Sequence, residues 1–342
     1  ISLIYLEYLV VAAFVVILSI KASNYIDLLD KNTELSGAFL GGIMLSAVTS
    51  LPELFTSISA TVLLNRPGLC MGNILGSDLF NLVAISVIIL FYFKGFSKGR
   101  VSKSYRNVAF LVFLIYIFIA LNFMDIVNVR ILNLSITSVL ILLVYILGAK
   151  YLAVANDVDT DEDALDYHAS MSTKLSIKQI GFRFFLASVG IIAFSIMLTY
   201  LTDQISVKLN LGQGLAGALF LGIATSLPEL ASTITLFKMR NYNIAVGNIV
   251  GSNLFNFIIL SVADVLSLGS GVYAVPDDKT IALLVFGLVA TPLFWIMLRF
   301  KNRTTQGICS VGIICCYAAF LLIWALSLTV GSYQNEQYFL YK

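Results

Sequence analysis

The sequence predicts an all-α polytopic membrane protein in which ten transmembrane helices form two inverted-topology five-helix repeats. Three observations lead there. Of the 342 residues, 59% are hydrophobic and only 12% charged, with a mean hydropathy of +0.94, whereas soluble domains run near 45–50% apolar and about a quarter charged. Ten apolar stretches approach or exceed the ~20 residues a helix needs to cross a bilayer. Two polar motifs inside those stretches recur in the second half at a nearly constant offset.

Taken in order, the stretches lie near 3–26, 36–63, 68–93, 106–124, 132–153, 180–202, 213–237, 242–268, 280–299 and 307–330. The first carries Glu7 close to its start, where a carboxylate reached by interfacial water is expected. The second contains Thr49-Ser50-Leu51-Pro52-Glu53-Leu54, and the seventh repeats it as Thr225-Ser226-Leu227-Pro228-Glu229-Leu230. The third contains Gly72-Asn73-Ile74-Leu75-Gly76-Ser77-Asp78-Leu79-Phe80-Asn81, matched in the eighth by Gly247-Asn248-Ile249-Val250-Gly251-Ser252-Asn253-Leu254-Phe255-Asn256. The offset is 176 through the glutamate and 175 beyond it, and Asp27 and Asp203 share the offset of 176. The other stretches are apolar helices without these motifs. Between the fifth and sixth lies the only long polar stretch. It divides the chain into a first five-helix repeat, 1–153, an acidic linker, 154–178, and a second five-helix repeat, 179–342, with a short C-terminal tail. Five is odd, so the second half enters the membrane from the opposite side, and the repeat is inverted.

Lys and Arg set the expected orientation. The side of the N-terminus holds Arg66, Arg130, Lys208, Lys279 and Lys342, and the opposite side the other sixteen, among them Lys94, Lys98, Arg100, Lys103 and Arg106 in one loop. Both termini are therefore expected outside, with the 154–178 loop in the cytoplasm. A net charge of +2 without a basic cluster points away from nucleic acid. The one histidine, His168, lies in the polar loop, which argues against imidazole chemistry and a His-based metal site. Cys70, Cys309, Cys315 and Cys316 lack metal-ligand spacing and are expected to pack as small apolar side chains. No zinc motif and no base for a Ser nucleophile occurs within the stretches, so the chain is not read as an enzyme. Asp157, Asp159 and Asp161 begin like an EF-hand, but Glu162 stands where Gly is required and His168 where the closing Glu belongs; a solvated linker is expected.

Ionisable groups inside a membrane are costly and mark ion pathways. On a helix Ser46, Thr49, Ser50 and Glu53 share one face, as do Gly222, Thr225, Ser226 and Glu229. Hydroxyls and carboxylates are hard oxygen ligands suited to sodium, calcium and magnesium. Pro52 and Pro228 remove a backbone donor and clash with the preceding turn, so main-chain oxygens near Ser46 and Gly222 are expected to join the coordination shell. The partner motifs add Ser77 with Asn81, and Ser252 with Asn256, each pair at i, i+4. Asn73 and Asn248 lie one turn earlier, as ligands or as interhelical glue. Gly72 with Gly76, and Gly247 with Gly251, form small faces that let the Glu-bearing and Asn-bearing helices approach.

These four motifs resemble the alpha repeats of the calcium/cation antiporter superfamily, and within it the prokaryotic sodium/calcium exchanger branch. The resemblance covers the ten-span plan and implies a central cluster of ion sites. By matching positions it assigns Thr49, Ser50, Glu53, Ser77, Asn81, Thr225, Ser226, Glu229, Ser252 and Asn256 as ligands, with backbone carbonyls at Ser46 and Gly222. It implies a secondary active antiporter that exchanges sodium for calcium by alternating access; the alternative is a proton/divalent cation exchanger for calcium, magnesium or manganese. It implies no cofactor, small inorganic cations and the lipid bilayer as partners, a monomer sufficient for transport, and a prokaryotic cell membrane as location. Two positions depart from the family: Asn256 where prokaryotic relatives often carry Asp, and Asp78 in place of the usual Asn. On a helix Asp78 points about 100° away from Ser77, toward an access path or a neighbouring side chain.

Overall fold

In hydrocarbon every backbone amide must find its partner within its own segment, so apolar runs of this length fold as helices. The computed structural model describes residues 3–32, 45–127, 129–131, 134–154, 175–267, 271–273, 277–300 and 302–340. In the first half these are α1 (Leu3–Asn32), α2 (Leu45–Thr49), α3 (Leu51–Ile58) with a π-helical turn at Ser59–Leu63, α4 (Pro67–Phe91), α5 (Phe93–Phe96), α6 (Lys103–Phe123) and α7 (Ile136–Val154). The second half has α8 (Ile177–Lys208), α9 (Gln213–Ala216), a π-helical turn at Gly217–Gly222, α10 (Ile223–Thr225), α11 (Leu227–Lys238), α12 (Tyr242–Leu266), α13 (Asp278–Arg299) and α14 (Arg303–Leu340). The strands are a short antiparallel hairpin, β1 (Arg130–Ile131) and β2 (Leu134–Ser135), with Arg130 opposite Ser135.

Among the described residues seven helices are long and apolar enough to cross a membrane, and eight if the bent pair Gln213–Thr225 and Leu227–Lys238 counts as one. Two of the ten expected stretches fall short. The stretch at 36–63 begins outside the described residues, leaving Leu51–Leu63 as a short apolar helix after the break. The helix of the stretch at 132–153 starts later, at Ile136, because Leu134–Ser135 form the second strand of the hairpin. The acidic run of the 154–178 linker, His168 and the side chain of Asp27 lie outside the described residues. Glu7 is exposed; Cys70 and Cys309 are buried, Cys316 is half-buried and Cys315 is exposed, all four as free thiols.

The motif-bearing helices form the centre. In α4 and α12, 72% of the apolar stretch is buried, against 22% to 39% in the other five continuous spans. α1 and α8 pack against each other at the periphery, with Phe14 stacked on Phe194 at 4.7 Å. Leu6, Leu9, Phe182 and Phe185 on this pair are exposed, as suits side chains that meet acyl tails. Where α8 ends, Asp203 pairs with Arg66, 3.1 Å away across the surface.

Lipid gives apolar side chains no reason to leave it, so contact between membrane helices depends on close packing of small residues. α4 meets residues 214–222 in this way. A Cβ on Gly72 would collide with the Gly214 carbonyl, and one on Gly76 would lie 2.5 Å from the Cα of Ala218. The equivalent face in the second half behaves differently: a Cβ on Gly247 would lie 2.5 Å from the Tyr105 hydroxyl of α6, so this glycine accommodates an aromatic ring and not a Glu-bearing helix.

A second junction of the halves rests on Asp264, fully buried near the end of α12. Its carboxylate accepts from Arg130 Nη1 at 3.1 Å, the Ser135 amide at 2.9 Å, Ser138 Oγ at 2.9 Å and the Val272 amide at 3.4 Å. Gly271, at φ +85°, brings the loop back over Arg130, where any side chain would clash with the guanidinium. Nothing in the sequence reading singled out Asp264; a lone acid at a helix end has no repeat partner to draw attention to it.

Replacing Gly72 with Ala should lower stability by about 1–3 kcal/mol, the usual cost of overpacking. Gly181→Ala, where an added Cβ meets nothing within 4 Å, should be neutral or better. Thermal unfolding of the two variants in detergent checks the contrast.

Candidate cation site

Each site half begins at a proline. Pro52 and Pro228 carry no N–H, so the carbonyls of Val48 and Ala224 receive no amide from four residues ahead. The chain leaves helical geometry one residue earlier than the Leu-Pro pair, at Ser50 (φ −88°, ψ 12°) and Ser226 (φ −87°, ψ 0°), nearly the same conformation at equivalent positions. In the second half the helix bends there by 43°. The breaks put Glu53 and Glu229 in the first turns of α3 and α11, where the helix dipole favours a carboxylate, and turn the carbonyl ends of α2 and α10 toward the same region, where it favours a cation.

The two glutamates are buried, with relative exposures of 1% and 0%. Each is held by the other half of the chain. Ser226 Oγ donates to Glu53 Oε1 at 3.2 Å, and Ser50 Oγ donates to Glu229 Oε1 at 3.1 Å. Ser252 Oγ also donates to Glu229 Oε1, at 3.4 Å, and lies 3.5 Å from Thr49 Oγ1. The second oxygen of each glutamate, Oε2, is buried with no hydrogen-bond partner among the described residues, and neither carboxylate has a Lys, Arg or His partner there.

The carbonyls expected to be freed are occupied. Ser46 O accepts from the Ser50 amide and Thr49 Oγ1, both at 3.1 Å; Gly222 O accepts from the Ser226 amide and Ser77 Oγ, both at 3.3 Å. Each therefore reaches an ion only by releasing a hydroxyl. Thr225 Oγ1 donates to Leu221 O at 2.9 Å and to Asn73 Oδ1 at 3.4 Å. Asn73 Nδ2 in turn reaches Thr56 Oγ1 and Ser57 Oγ at 2.9 Å and the Glu53 carbonyl at 3.4 Å, while Asn248 Nδ2 makes the equivalent bonds to Thr233 Oγ1 at 3.3 Å and Glu229 O at 3.4 Å. Both asparagines thus fasten the Glu-bearing helix to its neighbour.

Asn81 and Asn256 bond neither glutamate; they join a separate run of amides. Asn81 Nδ2 donates to Asn253 Oδ1 at 2.9 Å, Asn253 Nδ2 to the Asp78 carbonyl at 3.2 Å, and Asn256 Nδ2 to Asp78 Oδ1 at 2.9 Å. Asp78 is buried, so it lines no exposed path; it pairs with a neighbour. Asn253, the repeat counterpart of Asp78, carries no assigned role in the sequence; its part in this run depends on which side chains become neighbours. Among the described residues no three His, Cys, Asp or Glu side chains converge, and the oxygens come from two carboxylates, hydroxyls, amides and backbone. That donor set suits a hard cation.

The family model described as sodium/calcium exchanger protein matches residues 5–153 and 181–326, so this chain belongs to that family and is an integral membrane protein. The uncharacterized membrane protein MJ0091 of Methanocaldococcus jannaschii is 24% identical over 281 residues, covering 81% of this chain and 84% of its own length. Among solved structures, the sodium-calcium exchanger NCX_Mj superposes with a TM-score of 0.58 at 17% identity, over 93% of this chain and 99% of its own. The H+/Ca2+ exchanger CAX gives 0.65 at 12% identity, over 98% and 91%. Both share the fold.

Asn73→Ala removes donors that bind three oxygens of the first Glu-bearing helix. At about 1 kcal/mol per net hydrogen bond, it should lower stability by roughly 1–3 kcal/mol, read as a reduced unfolding midpoint in detergent.

Proposed function

We propose that the protein is a secondary active cation antiporter that exchanges sodium for calcium by alternating access. The observation that carries this reading is the crossed pair Ser226–Glu53 and Ser50–Glu229, which holds two buried carboxylates across the halves without a cationic partner among the described residues. Leaving such charges uncompensated in a low-dielectric interior costs several kcal/mol per ion. One calcium ion or two sodium ions balance these two; Asp78, a third buried acid, is met by the Asn256 amide instead. An empty site is then expensive to carry across the barrier, and that expense couples the two fluxes.

In this reading Glu53 and Glu229 are the charged ligands. Thr49, Ser50, Thr225, Ser226, Ser77 and Ser252 supply hydroxyls, Asn81 and Asn256 amide oxygens, and Ser46 and Gly222 carbonyls once their hydroxyl partners turn away. The halves, 1–153 and 179–342, are an inverted repeat of five spans each joined by the cytoplasmic linker 154–178, with both termini outside. The α1 and α8 pair, which lies outside the centre, slides as the gate. Each net charge moved works against about 2.3 kcal/mol per 100 mV of membrane potential. The hydroxyls around each glutamate favour sodium over a proton as the counter-ion, because a proton needs no multidentate shell.

Reconstituted protein should take up calcium when a sodium gradient is imposed at clamped pH. Glu53→Gln and Glu229→Gln should each abolish that uptake while the protein still inserts. Uptake driven by a pH gradient and indifferent to sodium would assign the proton/divalent alternative; full uptake in either variant would remove that glutamate from the site.

A further inference from the structure

A carboxamide is nearly symmetric in shape and opposite in chemistry at its two ends: the oxygen accepts, the nitrogen only donates. At a cation site the wrong end would present N–H groups to a positive ion. Something must therefore fix which way Asn81 and Asn256 face, and the hydrogen-bond pattern assigns that task.

Asp78 is the origin of both orientations. An ionised carboxylate oxygen only accepts, so with Asp78 ionised Asn256 directs Nδ2 at Asp78 Oδ1, 2.9 Å away, while Asp78 Oδ2 is buried without a partner among the described residues. A backbone carbonyl likewise only accepts, so Asn253 must direct Nδ2 at the Asp78 carbonyl, which points its Oδ1 at Asn81 Nδ2. The oxygens left over, Asn81 Oδ1 and Asn256 Oδ1, are buried and without a hydrogen-bond partner among the described residues. Asn81 and Asn256 follow Ser77 and Ser252 by four residues and so share their helix faces. Those serines touch the Gly222 carbonyl and Glu229. The unpartnered amide oxygens are thus carried on helix faces that one turn earlier touch the broken helix at the Gly222 carbonyl and, in the other half, Glu229.

We infer that Asp78 is a positioning residue of the cation site, holding Asn256 with its side chain and Asn81 through Asn253 with its main chain, so that both amides offer oxygen to the ion. The inference rests on the reading of Glu53 and Glu229 as the site. With an amide at 256, a carboxylate at 78 is what removes the choice of direction; an Asn at 78 could pair with Asn256 in either sense.

Calcium binding to the detergent-purified full chain, measured by titration calorimetry without sodium, tests this through a double-mutant cycle. Asp78→Asn should raise the calcium dissociation constant about tenfold, or ~1.4 kcal/mol. In an Asn256→Ala background the same change should cost less than about twofold. An undiminished cost in that background means that Asp78 acts on the ion directly or across space, and overturns the inference, as does a single variant that binds like wild type. The exchange Asp78→Asn with Asn256→Asp keeps one carboxylate and one amide in contact and should regain most of the affinity. If Asp78→Asn alone does not fold, this paired variant decides: folded protein that binds no calcium refutes the assignment. Glu53→Gln and Glu229→Gln run in the same assay separate the two levels, since unchanged binding there removes the site itself and this inference with it.

Discussion

Two carboxylates, Glu53 and Glu229, held inside a membrane protein with no cationic side chain beside them among the described residues are the constraint from which much of this structure follows. Hydrocarbon tolerates them only where helices are interrupted, where hydroxyls crowd the acid oxygens and where helix ends add their dipoles. Pro52 and Pro228 produce the interruptions, and the serine just before each Leu-Pro step turns out of the helix to reach the glutamate of the other half. Neither half can complete the arrangement alone. The crossed bonds are the physical counterpart of the repeated motif.

Asp264 shows the other way to keep an acid out of water. It is as deeply buried as Glu229, yet a guanidinium, two amides and a hydroxyl meet its oxygens. Nothing in its surroundings is left for an ion to supply, so it joins elements and does no more. The comparison separates burial from engagement: Asp264 has both oxygens met, whereas Glu53, Glu229 and Asp78 each keep one buried oxygen without a partner among the described residues.

Much of this was legible in the sequence because the informative residues are polar ones in apolar surroundings, repeated in order. The helical spans follow from hydropathy, and the repeat points to one site built from two halves. The shared faces pair Ser50 with Glu53 and Ser226 with Glu229 within each half, so the crossing of the serines to the opposite glutamate is not legible from them. Less could be read where partners come from elsewhere in the chain. That Gly72 faces the 214–218 backbone while Gly247 faces a tyrosine ring depends on which helices become neighbours, and the repeat says nothing of that. The occupied carbonyls of Ser46 and Gly222 escaped for a different reason. A proline takes away the donor four residues ahead of Val48 and Ala224, two residues beyond the carbonyls that were expected to be free, and nearby hydroxyls fill what remains. The direction of an asparagine amide is likewise invisible until its acceptor is known.

The contact of α4 with residues 214–222 is main chain against main chain, with Gly72, Gly76, Gly214 and Gly217 supplying almost no side chain between them. Such a seam has no rotamers to re-sort, so it resists slipping by fractions of a turn. The face of α1 on α8 is built the other way, side chain against side chain: Phe14 stacks on Phe194, Leu18 sits over Gly190, and Ala22, Ala187 and Ile191 are buried beside them. Two kinds of interface therefore divide the molecule: the inner one sets the spacing of the broken helix against α4 by its main chain, and the outer one meshes side chains.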